Sequence, residues 1–245
     1  MVANDDIQEA LNQYRSRLDI ATWCPKCALI DMDGVLYDSM PRHARAWKRM
    51  TDEIGMSCRE EEFFLYEGMT GAATIDLLFE QYKGRKATPD EIEELYRRKT
   101  LYFKEYGERI LMPGADKMLN IFTKYGLKCV LVTGSAQSSL LDAIYNDYPG
   151  AFEPGMRVCA RDLRHGKPHP EPYLRGLDLA GQPPHAAIVV ENAPLGVEAG
   201  HRSGCFTVGI TTGPVPADIL RQSGADLVVD SMPMFAQLLP ELINS

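Results

Sequence analysis

The chain has no basic excess: 26 Lys and Arg stand against 34 Asp and Glu, a formal net charge of -8 over 245 residues. Nucleic-acid-binding surfaces normally carry the opposite sign, so no nucleic-acid partner is expected. No apolar run approaches the roughly 18 residues that a membrane helix needs, so no membrane partner is expected either. The first residues, Met1 to Asp6, are acidic and lack an apolar core, and they do not read as an export signal. Cysteines number six and are scattered, several within apolar runs. They read as reduced, buried thiols of a cytoplasmic protein rather than a disulfide framework. The single C-x-x-C, Cys24-Pro25-Lys26-Cys27, has no second copy to complete a zinc site, and a strand rather than a helix follows it. It reads as structural.

What is present centres on Cys27-Ala28-Leu29-Ile30-Asp31-Met32-Asp33-Gly34-Val35-Leu36-Tyr37-Asp38-Ser39. A short apolar run ended by a turn signal reads as a buried strand of a parallel sheet. Residues i and i+2 of a strand face the same side. Asp31 and Asp33 therefore emerge together at the carboxyl end, where open α/β sheets place ligands. Gly34 allows a sharp turn there. Two carboxylates this close stay ionised only beside a cation or strong donors. Mg²⁺ is the cation that takes one or two carboxylates and completes its octahedron with water and phosphate. The plainer alternative is a turn whose aspartates cap the next helix. An EF-hand calcium loop fits badly, since its glycine belongs at the sixth position and a helix should precede it.

Along the chain, Ile7, Leu11, Tyr14 and Leu18 paint one face of a helix over 5–18, capped by Asn4 or Asp5. This helix belongs to an N-terminal extension, residues 1–26, expected on the outside of the core. Residues 39–112 are amphipathic and rich in charge clusters such as 59–62 and 90–94, which read as solvated helix faces. Thr88-Pro89-Asp90-Glu91 is a helix start. The stretch is too long for one crossover, so an inserted all-helical cap is expected, with hinges at Ser39-Met40-Pro41 and Met112-Pro113-Gly114. A helix over 115–125 ends at Gly126, and strands are then expected at 127–132, 157–160, 186–190, 205–210 and 226–229. Helices separate them, including 194–203 and a terminal one. The reading is a doubly wound, Rossmann-like parallel sheet formed by residues 27–38 and 113–245.

Four strand ends carry polar groups. Thr133 or Ser135, with Gly134 and nearby backbone N–H groups, can cradle phosphate oxygens. Ser135 is also expected to cap its helix. Lys167 precedes Pro168, which bars a helix through it, and offers a point charge to phosphate and carboxylate. Glu191-Asn192 ends the strand at 186–190. The ensemble suits phosphoryl transfer, which depends on positioning and charge neutralisation.

Those segments, D-x-D-G-V-L-x-D-S, V-T-G-S, G-K-P and V-V-E-N-A-P-L-G-V-E-A-G, resemble the haloacid-dehalogenase superfamily of phosphotransferases, in its β-phosphoglucomutase-like branch. The resemblance covers the chain from Cys27 onward. It implies Asp31 as nucleophile, Asp33 as general acid/base, Thr133 as the phosphate-binding hydroxyl and Lys167 as the lysine. It also implies a Mg²⁺ site of Asp31, Asp33, Glu191 and Asn192. Two departures stand out. Relatives mostly carry Glu-Asp where this chain has Glu191-Asn192, which removes one negative charge. Sugar-phosphate mutases carry G-V-S-R where this chain has Gly68-Met69-Thr70-Gly71, preceded by Glu67. The combination looks most like the inorganic pyrophosphatase offshoot of the branch.

The resemblance thus implies a monomeric, Mg²⁺-dependent phosphohydrolase acting on pyrophosphate or a small phosphorylated molecule. His43 and Glu67 are candidate substrate contacts from the cap, although each also reads as an ordinary helix or loop residue. A β-phosphoglucomutase is the alternative enzyme. A non-catalytic phosphate-binding module is the alternative from another class.

Overall fold

Side chains alternate between two faces of an extended chain, and apolar runs buried on both faces define the sheet. The computed structural model describes residues 4–135 and 138–245. Among them six strands form one sheet: β1 (Cys27–Ile30), β2 (Lys128–Val132), β3 (Arg157–Val158), β4 (Ala187–Glu191), β5 (Phe206–Ile210) and β6 (Leu227–Val229). Their order is β3-β2-β1-β4-β5-β6, and every neighbouring pair is parallel. Cys27 is in register with Lys128 on one side and Ala187 on the other, so β1 sits in the middle.

Odd and even positions of β1 serve different cores. Ala28 and Ile30 join one apolar cluster with Leu131 and Val190, while Cys27 and Leu29 join a second with Val130 and Val189. Each fully buried aliphatic side chain here is worth about 1.5–3 kcal/mol. The same parity leaves Asp31 on the Cys27 and Leu29 side where the strand ends.

Helices cover both faces. The first, α1 (Asn4–Leu18), buries Ile7, Leu11 and Tyr14 against the core that contains Trp23 and Phe206. Tyr14 Oη donates to the Gly204 carbonyl at 2.9 Å, and Arg17 pairs with Asp226 at 2.9 Å. The expected cap residues Asn4 and Asp5 lie within the helix. Four helices follow β1: α2 (Met40–Glu53), α3 (Glu62–Leu65), α4 (Gly71–Lys83) and α5 (Pro89–Glu105). They enclose an apolar cluster of their own, including Trp47, Phe63, Ile75, Phe79 and Leu95. Thr88 caps α5 with a capping box to Glu91, as the sequence predicts. Beyond β1 and this insert come α6 (Ala115–Lys124), α7 (Ser138–Asp147), α8 (Glu171–Ala180), α9 (Pro194–Arg202), α10 (Ala217–Gln222) and α11 (Met232–Asn244).

The chain enters and leaves the helical insert side by side. Tyr37 and Leu111 form an antiparallel bridge, flanked by Asp38 N–H to Ile110 O and Met112 N–H to Leu36 O, both 2.9 Å. The strand expected over 157–160 stops at Val158. The Asp162 carboxylate accepts the Cys159 N–H at 2.8 Å and draws residues 160–162 into a short 3₁₀ turn.

Candidate active site

The β1 ladder runs one residue past the strand, with the Asp31 N–H donating to Val190 O at 3.1 Å. The chain then turns at Gly34, whose φ is +81°. A Cβ at that position would lie 2.0 Å from the Asn192 amide nitrogen, so glycine is required by both conformation and space. The end of β4 is thereby brought against the end of β1.

Lys167 is buried between two carboxylates, 2.5 Å from Asp31 Oδ1 and 2.5 Å from Glu191 Oε1. Burial alone would depress its ammonium, but the two negative charges outweigh that and raise its pKa. Glu191 Oε1 also accepts from Tyr173 Oη at 2.7 Å, and its Oε2 accepts the N–H groups of Asn192 and Ala193. The sequence reading puts Glu191 on the metal. The structure engages both of its oxygens in orienting Lys167 and closing the β4 turn.

Asp33 points the other way, toward the helical insert. Its Oδ1 accepts from Ser39 Oγ at 2.5 Å and from His43 Nε2 at 3.1 Å. Lys99 Nζ lies 2.6 Å from Nδ1 of the same ring. A Lys99–His43–Asp33 chain results, with the lysine donating to Nδ1 and Nε2–H donating to Asp33. Burial pushes Asp33 up, yet His43, Ser39 and Lys99 together outweigh it and hold the carboxyl at about 2. His43 is itself pushed down by burial and by Lys99, against the pull of Asp33. Burial lowers Lys99 to about 7, against the pull of Asp33.

Glu67 arrives from the loop between α3 and α4 and is buried. Its Oε1 accepts from Asn192 Nδ2 at 3.1 Å. Burial, then the Asp31 charge, raise its pKa well above the ordinary carboxylate range. Asp31 is raised as well, by burial first and against the pull of Lys167, with Glu191 and Asp33 adding to it. The site is short of positive charge.

Its donors suit a hard cation. The Asn192 amide oxygen is buried with no hydrogen-bond partner, while the nitrogen of the same amide is used. An orphaned carbonyl oxygen is a donor of the kind that Mg²⁺ takes together with carboxylates. Asn192 Oδ1 and the Asp31 carboxylate are the groups that could hold it.

Thr133 is buried at the end of β2, where its Oγ1 accepts the Ser135 N–H at 3.0 Å. The residues at which Ser135 is expected to cap the following helix, 136 and 137, lie outside the described residues. Gly134 packs against the insert, for a Cβ there would lie 2.8 Å from Gly68 O. Asp31, Asp33, His43, Glu67, Thr133, Gly134 and Ser135 all line one cavity of about 70 Å³. Lys167, Glu191 and Asn192 stand behind it.

Lys99, Ser39 and Tyr173 were not anticipated from sequence. Lys99 carried a usable signal: Leu95, Lys99 and Phe103 recur at four-residue spacing and are the buried face of α5. A lysine on an apolar stripe is a buried charge in need of a partner.

A model of the haloacid dehalogenase-like hydrolases matches residues 25–204. Hexitol phosphatase A of Escherichia coli is 30% identical over 204 residues, covering 83% of this chain and 90% of the relative. Glycerol-1-phosphate phosphohydrolase 2 of Saccharomyces cerevisiae is 30% identical over 216 residues, 82% of this chain and 80% of its own. A solved structure from Bacteroides vulgatus, provisionally named a beta-phosphoglucomutase, superposes with a TM-score of 0.95 at 39% identity, covering 99% of this chain and 98% of that one.

Proposed function

Because the chain belongs to the haloacid dehalogenase-like hydrolases, we propose that it is a Mg²⁺-dependent phosphohydrolase working through a phosphorylated Asp31, with inorganic pyrophosphate as its first substrate. The cavity carries the substrate reading. Its wall gathers Asp31, Glu67, Thr133, Gly134 and Ser135 about one space of about 70 Å³, a compact polar chamber that suits a small anion.

In this reading Asp31 attacks phosphorus in line with the departing oxygen, forming a bond from its carboxylate to the phosphoryl group. Lys167 holds Asp31 in place, and Thr133 with the backbone near Gly134 and Ser135 receives the phosphoryl oxygens. The chemistry Mg²⁺ supplies when bound at Asp31 and Asn192 is neutralisation of the negative charge gathered there. Asp33 handles protons: one to the leaving oxygen, one from the water that later hydrolyses phospho-Asp31. A carboxyl held near 2 is a poor match for a strongly basic alkoxide. It suits a leaving phosphate, which needs little protonation. The Lys99–His43–Asp33 chain lets Asp33 reload. Residues 39–112 act as a cap that brings His43, Glu67 and Lys99 to the site and shuts out water.

A small sugar or polyol phosphate is the second reading, favoured by the names of the two phosphatase relatives and by Trp47, Tyr66 and Tyr96 in the cavity wall. Turnover on pyrophosphate, p-nitrophenyl phosphate, a hexitol phosphate and β-glucose 1-phosphate separates the readings, with the last also followed for glucose 6-phosphate. The expected result is the highest kcat/KM on pyrophosphate and no isomerised sugar. Asp31→Asn should abolish turnover with the fold intact. A clear preference for a sugar phosphate would sink the pyrophosphate reading, and appreciable turnover by Asp31→Asn, free of deamidated protein, would sink the mechanism.

A further inference from the structure

Just outside the cavity, the segment that carries Lys167 is bracketed by two histidines. His165 and His169 stand either side of Gly166-Lys167-Pro168, and Glu171 opens α8 two residues later. Their rings lie 4.6 Å apart, centroid to centroid. One ligand atom from each of His165, His169 and Glu171 falls within 4.8 Å of the other two. The three also line a shallow surface depression with Arg164 and Arg175.

From this convergence we infer that His165, His169 and Glu171 form a Zn²⁺ site distinct from the Mg²⁺ centre. Two imidazoles and one carboxylate, with a fourth position open to water, are a donor set that Zn²⁺ takes tetrahedrally. Mg²⁺ does not compete well, since it demands oxygen ligands in near-ideal octahedral geometry.

The carboxylate is already oriented. Glu171 Oε1 accepts the Arg164 N–H at 3.0 Å and Arg175 Nε at 3.3 Å, while Oε2 accepts the N–H and Nδ1 of His165, both at 3.0 Å. That last separation is close to the edge of a zinc tetrahedron, about 3.3 Å for bonds near 2 Å. Zinc entering there replaces the proton shared by His165 and Glu171, which leaves to solvent. His169 Nδ1 already presents a lone pair, accepting the Glu171 N–H at 3.1 Å. That N–H, at the first turn of α8, turns to water when the metal takes the lone pair. Closing the gap from 4.8 Å is within reach, because the His165 side chain is 62% exposed.

The proposal is independent of which phosphorylated substrate the cavity takes. Its consequence is local: the metal ties together the two ends of the turn that holds Lys167 against Asp31 and Glu191.

The test is calorimetric titration of Zn²⁺ into the full chain, without a polyhistidine tag and with Mg²⁺ in excess. Co²⁺ serves as a second, spectroscopic probe. One equivalent of Zn²⁺ at micromolar affinity is expected, with the visible absorption of tetrahedral Co²⁺. His165→Ala and Glu171→Gln should each weaken binding by at least about tenfold and remove the Co²⁺ bands. Because His165 is largely exposed, His165→Ala retains the fold, checked by its melting curve. Zn²⁺ binding unchanged in both variants would place the metal elsewhere and overturn the inference. So would failure of the wild-type chain to take up micromolar Zn²⁺.

Discussion

Asn192 donates its amide to the buried carboxylate of Glu67 at 3.1 Å, joining residues 125 apart in the chain. One comes from the end of β4 and the other from the helical insert. An aspartate at 192 would set two buried carboxylates face to face, so the residue that departs from the family pattern is matched to the glutamate that meets it.

Removing that carboxylate should be felt unequally by different substrates. Glu67→Ala leaves the Asn192 amide nitrogen unpaired and frees the amide to turn, which misplaces the oxygen offered to Mg²⁺, the cation on which the more anionic pyrophosphate depends most. A lost hydrogen bond to a charged group is worth about 1.5–3 kcal/mol, or roughly tenfold to a hundredfold in rate. The expected outcome is a loss of that size in kcat/KM for pyrophosphate, with a smaller loss for p-nitrophenyl phosphate. Equal losses on both would remove Glu67 from substrate choice.

Lys99 should show opposite effects on activity and stability. Its ammonium titrates at about 7 in the free protein, so it is charged below that pH and neutral above it. kcat/KM, which reports the free enzyme, should therefore fall as pH rises through about 7. Lys99→Met should be less active throughout and lack that limb. A folded-state pKa below the unfolded value of an amine means that the charged lysine opposes folding, and more so as pH falls from about 10 towards 7. Lys99→Met should accordingly melt several degrees higher than wild type at neutral pH. A limb near 7 that survives in Lys99→Met would assign it to another group.

His43 is the link that can be cut without touching either end. His43→Ala empties the position between Lys99 and Asp33, leaving Ser39 as the side-chain donor to Asp33 among the described residues. Proton transfer contributes about 10²–10⁴-fold in general, and a loss in the lower half of that range is expected in kcat. The loss should be larger for an alkyl phosphate than for p-nitrophenyl phosphate, whose leaving group needs little protonation. Equal losses would mean that His43 acts only by packing on Phe103.

Asp226 provides a stability test remote from the site. Burial raises it to about 6, against the pull of the Thr207 N–H and Arg17. A carboxyl raised on folding binds its proton more tightly in the folded state, so its contribution is fully present below about 4 and lost as pH climbs to about 6. At 1.36 kcal/mol per pKa unit the change is on the order of 3 kcal/mol. Urea unfolding of wild type and Asp226→Asn should show the variant gaining relative stability between pH 4 and 6 and none beyond. A constant difference across that range would refute the assignment.

Local pattern made much of this molecule legible. β1, its two aspartates and the turn at Gly34 follow from an apolar run of period two ended by glycine, and the Thr88 cap follows from four residues. Pairings made over long separations were not legible. Even Ser39, only six residues from Asp33, read as a hinge because neither strand nor helix period links the two. Glu191 was legible as an acid at a strand end, but not its hydrogen-bond partners. Tyr173 reaches it from α8 and Lys167 from the turn before that helix. Lys99 was hidden beside Arg97 and Arg98, in a run that reads as solvent-facing, although its spacing from Leu95 and Phe103 says otherwise.

The paired crossing at Tyr37 and Leu111 has a bearing on how such a molecule can change over generations. The ends of the helical insert already meet, so the sheet experiences it as a loop closed at its base. Lengthening a closed loop costs only about 0.6 kcal/mol per doubling. Helices can be added, trimmed or exchanged beyond that base without reopening the register of β1 with its neighbours. The insert can thus diverge in length and content while the sheet that carries Asp31 keeps its register.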